Sequence, residues 1–199
     1  MKTDVYVDGA RLDIEDDGGG STLAQLVLAV DREIKGLRRY VDNVSVDGEQ
    51  MHEWRDSEAM DLPLCSHREV RLTTVCFDEV AFHGLDTLRE YAGVIRRNIP
   101  ACVDSLRRGE PAGAALSTIV EGAVEVVKTV GALVRGGGHY GLGVFDSDPA
   151  PSCSSLMERI ESLGEAGENR DSVSIADILE YEVAPILEEM EEIFRPAGA

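Results

Sequence analysis

The stretch Asp4-Val5-Tyr6-Val7-Asp8-Gly9-Ala10-Arg11-Leu12, together with its counterpart Asn43-Val44-Ser45-Val46-Asp47-Gly48, decides how this chain is read. In each, valines alternate with polar neighbours and run into Asp-Gly. Alternation at period two marks a half-buried strand, and Asp-Gly tolerates the positive φ that the tightest hairpin turns demand. The first stretch predicts a hairpin over residues 4–14, with Leu12 and Ile14 on the returning strand. The second predicts a strand over 43–47, turned by Asp47-Gly48. Between them, Asp16-Asp17-Gly18-Gly19-Gly20 reads as a flexible connection, and residues 22–39 read as a helix. Thr22 and Gln25 are spaced for a capping box. Leu23, Leu26, Val27, Val30, Ile34 and Leu37 form one apolar stripe. Arg32, Lys35, Arg38 and Arg39 fall late in that helix, where cations suit its dipole. A polar loop carrying Trp54 leads to Val70, Leu72 and Thr74, which alternate in a last strand near 69–75. The order is strand, strand, helix, strand, short connection, strand.

Val5-Tyr6-Val7-Asp8-Gly9, the capped helix and Val44-Ser45-Val46-Asp47-Gly48-Glu49 resemble the β-grasp, or ubiquitin-like, fold, with an echo of its small sulfur-carrier branch. The resemblance covers about 76 of the 199 residues. It implies a fold and not the carrier activity. Sulfur carriers and ubiquitin act through a free C-terminal Gly-Gly, whereas this segment runs on into Cys76-Phe77-Asp78 and the sequence closes on Pro196-Ala197-Gly198-Ala199. Carriage is therefore not expected.

From residue 77 onward the period changes to that of helices. Leu85, Leu88, Ala92, Ile95, Ile99, Cys102 and Leu106 recur three and four apart, the seam of knobs-into-holes packing. Pro100 predicts a kink or break near Asn98. Gly109-Glu110-Pro111 closes this pattern and opens the next, with Pro111 suited to a first turn. Leu116, Ile119, Ala123, Val126, Val130 and Leu133 then repeat the spacing until Gly136-Gly137-Gly138. A loop to about Ser152 follows, then a shorter helix through Leu156, Ile160 and Leu163. Ser172 or Ser174 is expected to cap the last helix. Its seam is Ile175, Leu179, Val183, Ile186, Met190 and Ile193, with a kink at Pro185. The expected fold is α+β: a β-grasp-like domain over 1–76 followed by an antiparallel bundle of about four helices over 77–199. The segment Ser174-Ile175-Ala176-Asp177-Ile178-Leu179-Glu180-Tyr181-Glu182-Val183-Ala184-Pro185 also resembles an "ADLLEYE…P" signature of uncharacterised bacterial proteins. Those proteins join a β-grasp-like start to a helical bundle, so this resemblance bears on architecture alone.

The chain carries 38 Asp plus Glu against 19 Lys plus Arg, a formal charge of −19. Nucleic acid as a main partner is not expected, because phosphate binding needs a basic face. The excess leans toward the end, since residues 152–199 hold 12 acidic and 3 basic side chains. Apolar runs are far shorter than the ~20 residues of a membrane span, and the N-terminus lacks a signal-peptide core, so a cytoplasmic protein is expected. Cys65, Cys76, Cys102 and Cys153 are widely spaced and read as free thiols.

No catalytic motif is complete. Gly136, Gly138 and Gly141 fit G-x-G-x-x-G, but a dinucleotide loop needs a strand before it and a helix after it, and here a helix precedes it. Cys65 and His67 bring two soft ligands without the second close pair that zinc sites use. Were they on one strand they would share a face, yet nothing beside them would orient a thiol nucleophile. The acids of the last helix lack the Glu-x-x-His pattern of di-metal bundles. No metal and no cofactor is therefore expected. The reading favoured is a non-enzymatic protein-interaction module, an adaptor, regulator or chaperone-like protein, whose β-grasp sheet would offer an edge for strand addition and whose bundle would offer a surface for a partner helix. Its partner would be basic and would meet Asp177, Glu180, Tyr181, Glu182, Glu188 and Glu189. Leftover seam surface on the bundle leaves room for a homo-oligomer. The alternative is a ligand- or metal-binding protein or enzyme with a pocket between sheet and bundle, drawing on His52, Trp54, Cys65, His67 and His139.

Overall fold

Each Asp-Gly pair closes a hairpin because both of its residues adopt positive φ: 49° and 82° at Asp8 and Gly9, 53° and 89° at Asp47 and Gly48. This is the type I′ geometry whose twist matches paired strands. The computed structural model describes residues 3–13 and 20–195. Strand β1 (Asp4–Val7) pairs antiparallel with β2 (Ala10–Leu12), Val5 opposite Leu12 and Val7 opposite Ala10. Ile14 and the Asp16–Gly19 part of the connection lie outside the described residues.

Helix α1 (Leu23–Ile34) begins as expected. The Thr22 hydroxyl accepts the Gln25 N–H, and the Gln25 side chain accepts the Thr22 N–H. Its end differs from the expectation. A 3₁₀ turn (Lys35–Leu37) replaces the last helical turn, Arg38 takes a left-handed conformation at φ 54°, and Leu37 is 70% exposed. Arg38 and Arg39 are thus not helix-terminal cations. Arg38 pairs with Asp78, and Arg39 opens strand β3 (Arg39–Val46). Gly36 weakens the helix there, and pairing of Arg39, Tyr40 and Val41 with the last strand takes the chain away from it.

That pairing also starts β3 four residues earlier than the alternation suggests. A bulge between Val41 and Asn43 resets the period, so Val41 and Val44 both point inward. Strand β4 (Glu49–Gln50) returns from the second Asp-Gly turn, and β5 (Glu69–Cys76) lies in the middle. Among the described residues the sheet is five-stranded in the order β2-β1-β5-β3-β4, with β1 parallel to β5 and the other neighbours antiparallel. Residues 51–68 run through short 3₁₀ turns at Trp54–Asp56, Glu58–Asp61 and Leu64–Ser66. They bury Trp54, Met60 and Leu64 with α1 and the inner face of the sheet.

The chain divides into two compact units, Met1–Val80 and Ala81–Ala199. In the second, α2 (Phe77–Arg107, which begins just before the division) stays helical through Pro100 instead of breaking. The buried Ile95, Ile99, Cys102 and Val103 hold the turn whose hydrogen bond the proline deletes. Helix α3 (Gly113–Tyr140) begins after Pro111, which lies outside its first turn. It runs opposite to α2, since Gly84 faces Leu133 while Gly122 faces Ile95. It does not stop at the three glycines. It continues to Tyr140 and ends at Gly141, φ 67°, where the N–H groups of Gly141 and Leu142 both reach the Gly137 carbonyl. A Cβ on Gly137 would stand 2.6 Å from the Leu142 oxygen and 2.8 Å from Val144, so the returning chain requires glycine there.

Helix α4 (Ala150–Glu168) starts earlier than its apolar seam suggests, which shortens the expected loop. Helix α5 (Ser172–Ile178) is capped by Asp171, whose carboxylate accepts the Ser174 N–H; Ser172 and Ser174 are not the cap. A π-helical turn (Leu179–Val183) then passes the chain to α6 (Ala184–Ile193). This is where the kink at Pro185 was expected. Pro185 offers no N–H to the Tyr181 carbonyl, and the wider turn, with the Ala184 N–H on the Leu179 oxygen, re-registers the ladder.

Candidate functional site

An apolar concavity in the first unit lies where the β2 edge passes α1. It measures about 350 Å³ and is walled by Val7, Leu12, Leu26, Ala29, Val30 and Ile34. Local sequence builds both walls. The Asp8-Gly9 turn sets the β2 register, and the Asp8 carboxylate fastens that turn by accepting the Thr74 N–H (2.8 Å) and hydroxyl (2.6 Å). Arg39 reaches the same carboxylate at 3.3 Å. Burial works against ionisation of Asp8, but the Thr74 hydrogen bonds and Arg39 outweigh it and hold the carboxyl below its usual pKa. The capping box fixes the start of α1, which presents Leu26 and Val30 to the groove floor.

Among the described residues, β2 has one paired side. With Val7 and Ala10 as the pair closing a two-residue turn, the Arg11 N–H and C=O point away from β1. Leu12, 38% exposed, stands at the mouth. Asp13 and Glu33 complete the rim, one on each wall.

The residues singled out from sequence fall elsewhere. In the helical unit, Arg107 reaches both Asp177 (3.3 Å) and Glu180. Glu180 foremost, with Tyr181 and Asp177, holds the Arg107 guanidinium well above its ordinary pKa. Arg159 binds Glu182 at 2.6 Å. Arg96 binds Glu191 at 2.6 Å and reaches Glu188 at 3.7 Å. The acids expected to await a basic partner thus already bridge α2 and α4 to the α5–α6 segment. Glu189 is exposed with no ion pair among the described residues, and Tyr181 is 66% exposed on the π turn.

Within the first unit, His52 and Trp54 line one concavity with Asp42 and Arg55, and Cys65 and His67 do not line it. Trp54 is buried, donates its indole N–H to the Asp42 carbonyl at 2.9 Å, and carries the Arg55 guanidinium 4.1 Å above its ring. His52 is exposed. Cys65 is exposed in a 3₁₀ turn, not on a strand, whereas His67 is buried, so the two do not share a face. The His67 Nδ1 lies 3.9 Å from Asp47, and its Nε2 has no hydrogen-bond partner among the described residues. His139 belongs to the helical unit and packs edge-on against Tyr140. Among the described residues no group of three or more His, Cys, Asp or Glu is placed to hold a metal ion. Nor is any helix long and apolar enough to cross a membrane. The groove rim escaped the sequence reading because Leu12 looked like a hairpin residue and Glu33 like an ordinary helical charge. The one available signal was the spacing of Leu26, Val30 and Ile34, which extends the α1 stripe toward the sheet edge.

A family model described as a domain of unknown function (DUF8042) matches residues 143–193, about a quarter of the chain. The matched segment runs from the loop after α3 through α6 and includes all of the arginine-bridged acids just described. No curated protein and no solved structure matches the chain.

Proposed function

We propose that this chain is a non-enzymatic protein-interaction module that docks an extended segment of its partner between β2 and α1. The observation carrying this reading is the groove itself: apolar walls beside a strand whose outer N–H and C=O groups have no strand partner among the described residues. A segment added there would gain main-chain hydrogen bonds from β2 and place alternate side chains on Leu12, Ala29 and Ile34.

The architecture belongs to the same proposal. We read residues 1–80 as a β-grasp unit, on the strength of the β2-β1-β5-β3-β4 order, the parallel β1–β5 pair and the single helix on one face. We read residues 81–199 as an antiparallel four-helix bundle in which α5, the π turn and α6 make one interrupted helix. Within it the arginine-bridged acids act as internal clamps, which moves the partner surface from the last helix to the groove.

The test pairs Leu12→Glu with Ala29→Arg in the whole chain. Both residues are exposed, so circular dichroism and melting temperature should stay close to wild type. A partner retained by the wild-type protein in a native pull-down should be lost from the double variant. Retention at wild-type strength by a folded double variant would overturn the groove as the docking site.

A further inference from the structure

The inference rests on the docking reading above and concerns what the groove selects. We propose that its occupant is an extended segment with apolar residues at alternate positions and a basic side chain toward each end. Among the described residues, the charged ones lining the groove are Asp13 and Glu33, and both are acidic. Asp13 follows Leu12 at the end of β2, and Glu33 lies one turn beyond Ala29 on α1, so each wall carries one carboxylate. Arg32 and Lys35, on the same helix, do not line the groove.

Some carboxylates of the unit are matched by arginine, Asp4 by Arg11, Asp8 by Arg39, Glu69 by Arg71 and Asp78 by Arg38, while others, such as Glu49, Glu53 and Asp61, are unmatched among the described residues. Asp13 and Glu33 are exposed and form no ion pair among the described residues. An apolar floor between two unmatched carboxylates disfavours an acidic strand by like-charge repulsion and favours a basic one. Complementary charge at an interface rim mainly sets which partner is accepted and how fast it arrives.

The probes are two blocked hexapeptides, Lys-Val-Thr-Val-Thr-Lys and Glu-Val-Thr-Val-Thr-Glu, titrated into the whole chain at low salt and followed by amide NMR shifts. The lysine peptide should move the amides of Arg11, Leu12, Ala29 and Glu33 and bind about tenfold more tightly than the glutamate peptide. The preference should reverse in Asp13→Lys/Glu33→Lys and shrink toward ~1 M salt, where the screening length falls to about 3 Å. Equal affinity for the two peptides would overturn the charge selection and leave the docking reading standing. Neither peptide shifting the groove amides would overturn the docking reading itself. Shifts confined to the acids of α5 and α6 would overturn the placement. A concentration-dependent dimer that protects Leu12 would make the occupant a second copy and overturn the proposal.

Discussion

The Asp8 carboxylate holds Thr74 by both its backbone N–H and its hydroxyl, at 2.8 and 2.6 Å, so a turn residue of the first hairpin fastens the last strand of the sheet. Asp47 does the same at the other end of β5, accepting the N–H groups of Arg68 (2.8 Å) and Glu69 (2.9 Å). Each aspartate therefore serves two purposes: it takes the positive φ of a type I′ turn, and it caps a strand that is remote in sequence. Asp8→Ala should cost about 1–2 kcal/mol, the range for removing a charge-assisted hydrogen bond from a partly buried group. Urea unfolding followed by Trp54 fluorescence would measure it. Asp8→Asn, which keeps an acceptor, should lose less.

The same contact sets a pH dependence. Because the folded carboxyl of Asp8 sits below its unfolded value, its contribution is fully present above about pH 4. It is lost as pH falls through the lower folded value. Acid unfolding monitored at Trp54 should therefore be shallower below about pH 4 in Asp8→Asn than in the wild type. Identical acid limbs would contradict the linkage.

Two neighbouring glycines in α3 should respond oppositely to the same change. Gly137→Ala drives a Cβ into the Leu142 carbonyl and Val144, and should destabilise the helical unit by about 1–3 kcal/mol. Gly138→Ala meets open space within a helix, and should stabilise by about 0.5–1 kcal/mol. Thermal melts at 222 nm separate the two outcomes.

The thiols should react in order of exposure. Cys65 is exposed, whereas Cys102 is buried and burial pushes its thiol above the usual value. Alkylation of the native chain at neutral pH, read by peptide mass spectrometry, should modify Cys65 first and Cys102 last. Cys153, also raised by burial, should lag behind Cys65.

Arg96 is the best placed of the clamping arginines, with Glu191 at 2.6 Å and Glu188 at 3.7 Å. Arg96→Met should lower stability by up to about 1 kcal/mol at low salt. Most of that difference should vanish near ~1 M salt, where exposed charges are screened. A salt-independent loss would assign the effect to packing.

Signals confined to a few residues were the ones legible in the sequence. Asp8-Gly9, Asp47-Gly48 and the Thr22/Gln25 box act over two to four positions, and each forms where its spacing implies. The failures are non-local. The start of β3 is decided by β5, some thirty-five residues further on, and the bulge that turns both Val41 and Val44 inward breaks the alternation that pattern reading relies on. The three glycines at 136–138 look like a helix stop, yet the real stop is Gly141, because Gly137 has to lie against the returning chain. The candidate groove was hidden for the same reason. Leu12 and Glu33 become neighbours of one cavity only when the sheet order places the β2 edge beside α1.

The parallel pair of β1 and β5 matches Asp4 with Glu69, so the first strand of the sheet has no central neighbour until the last has been made. On a ribosome releasing residues from the N-terminus, the hairpin and α1 would wait for residue 76 before their core closes, whereas each helix of the second unit can form as it emerges. A chain cut before Glu69 would lose the strand that lies between β1 and β3. The core of the sheet unit therefore closes only once β5 has been made.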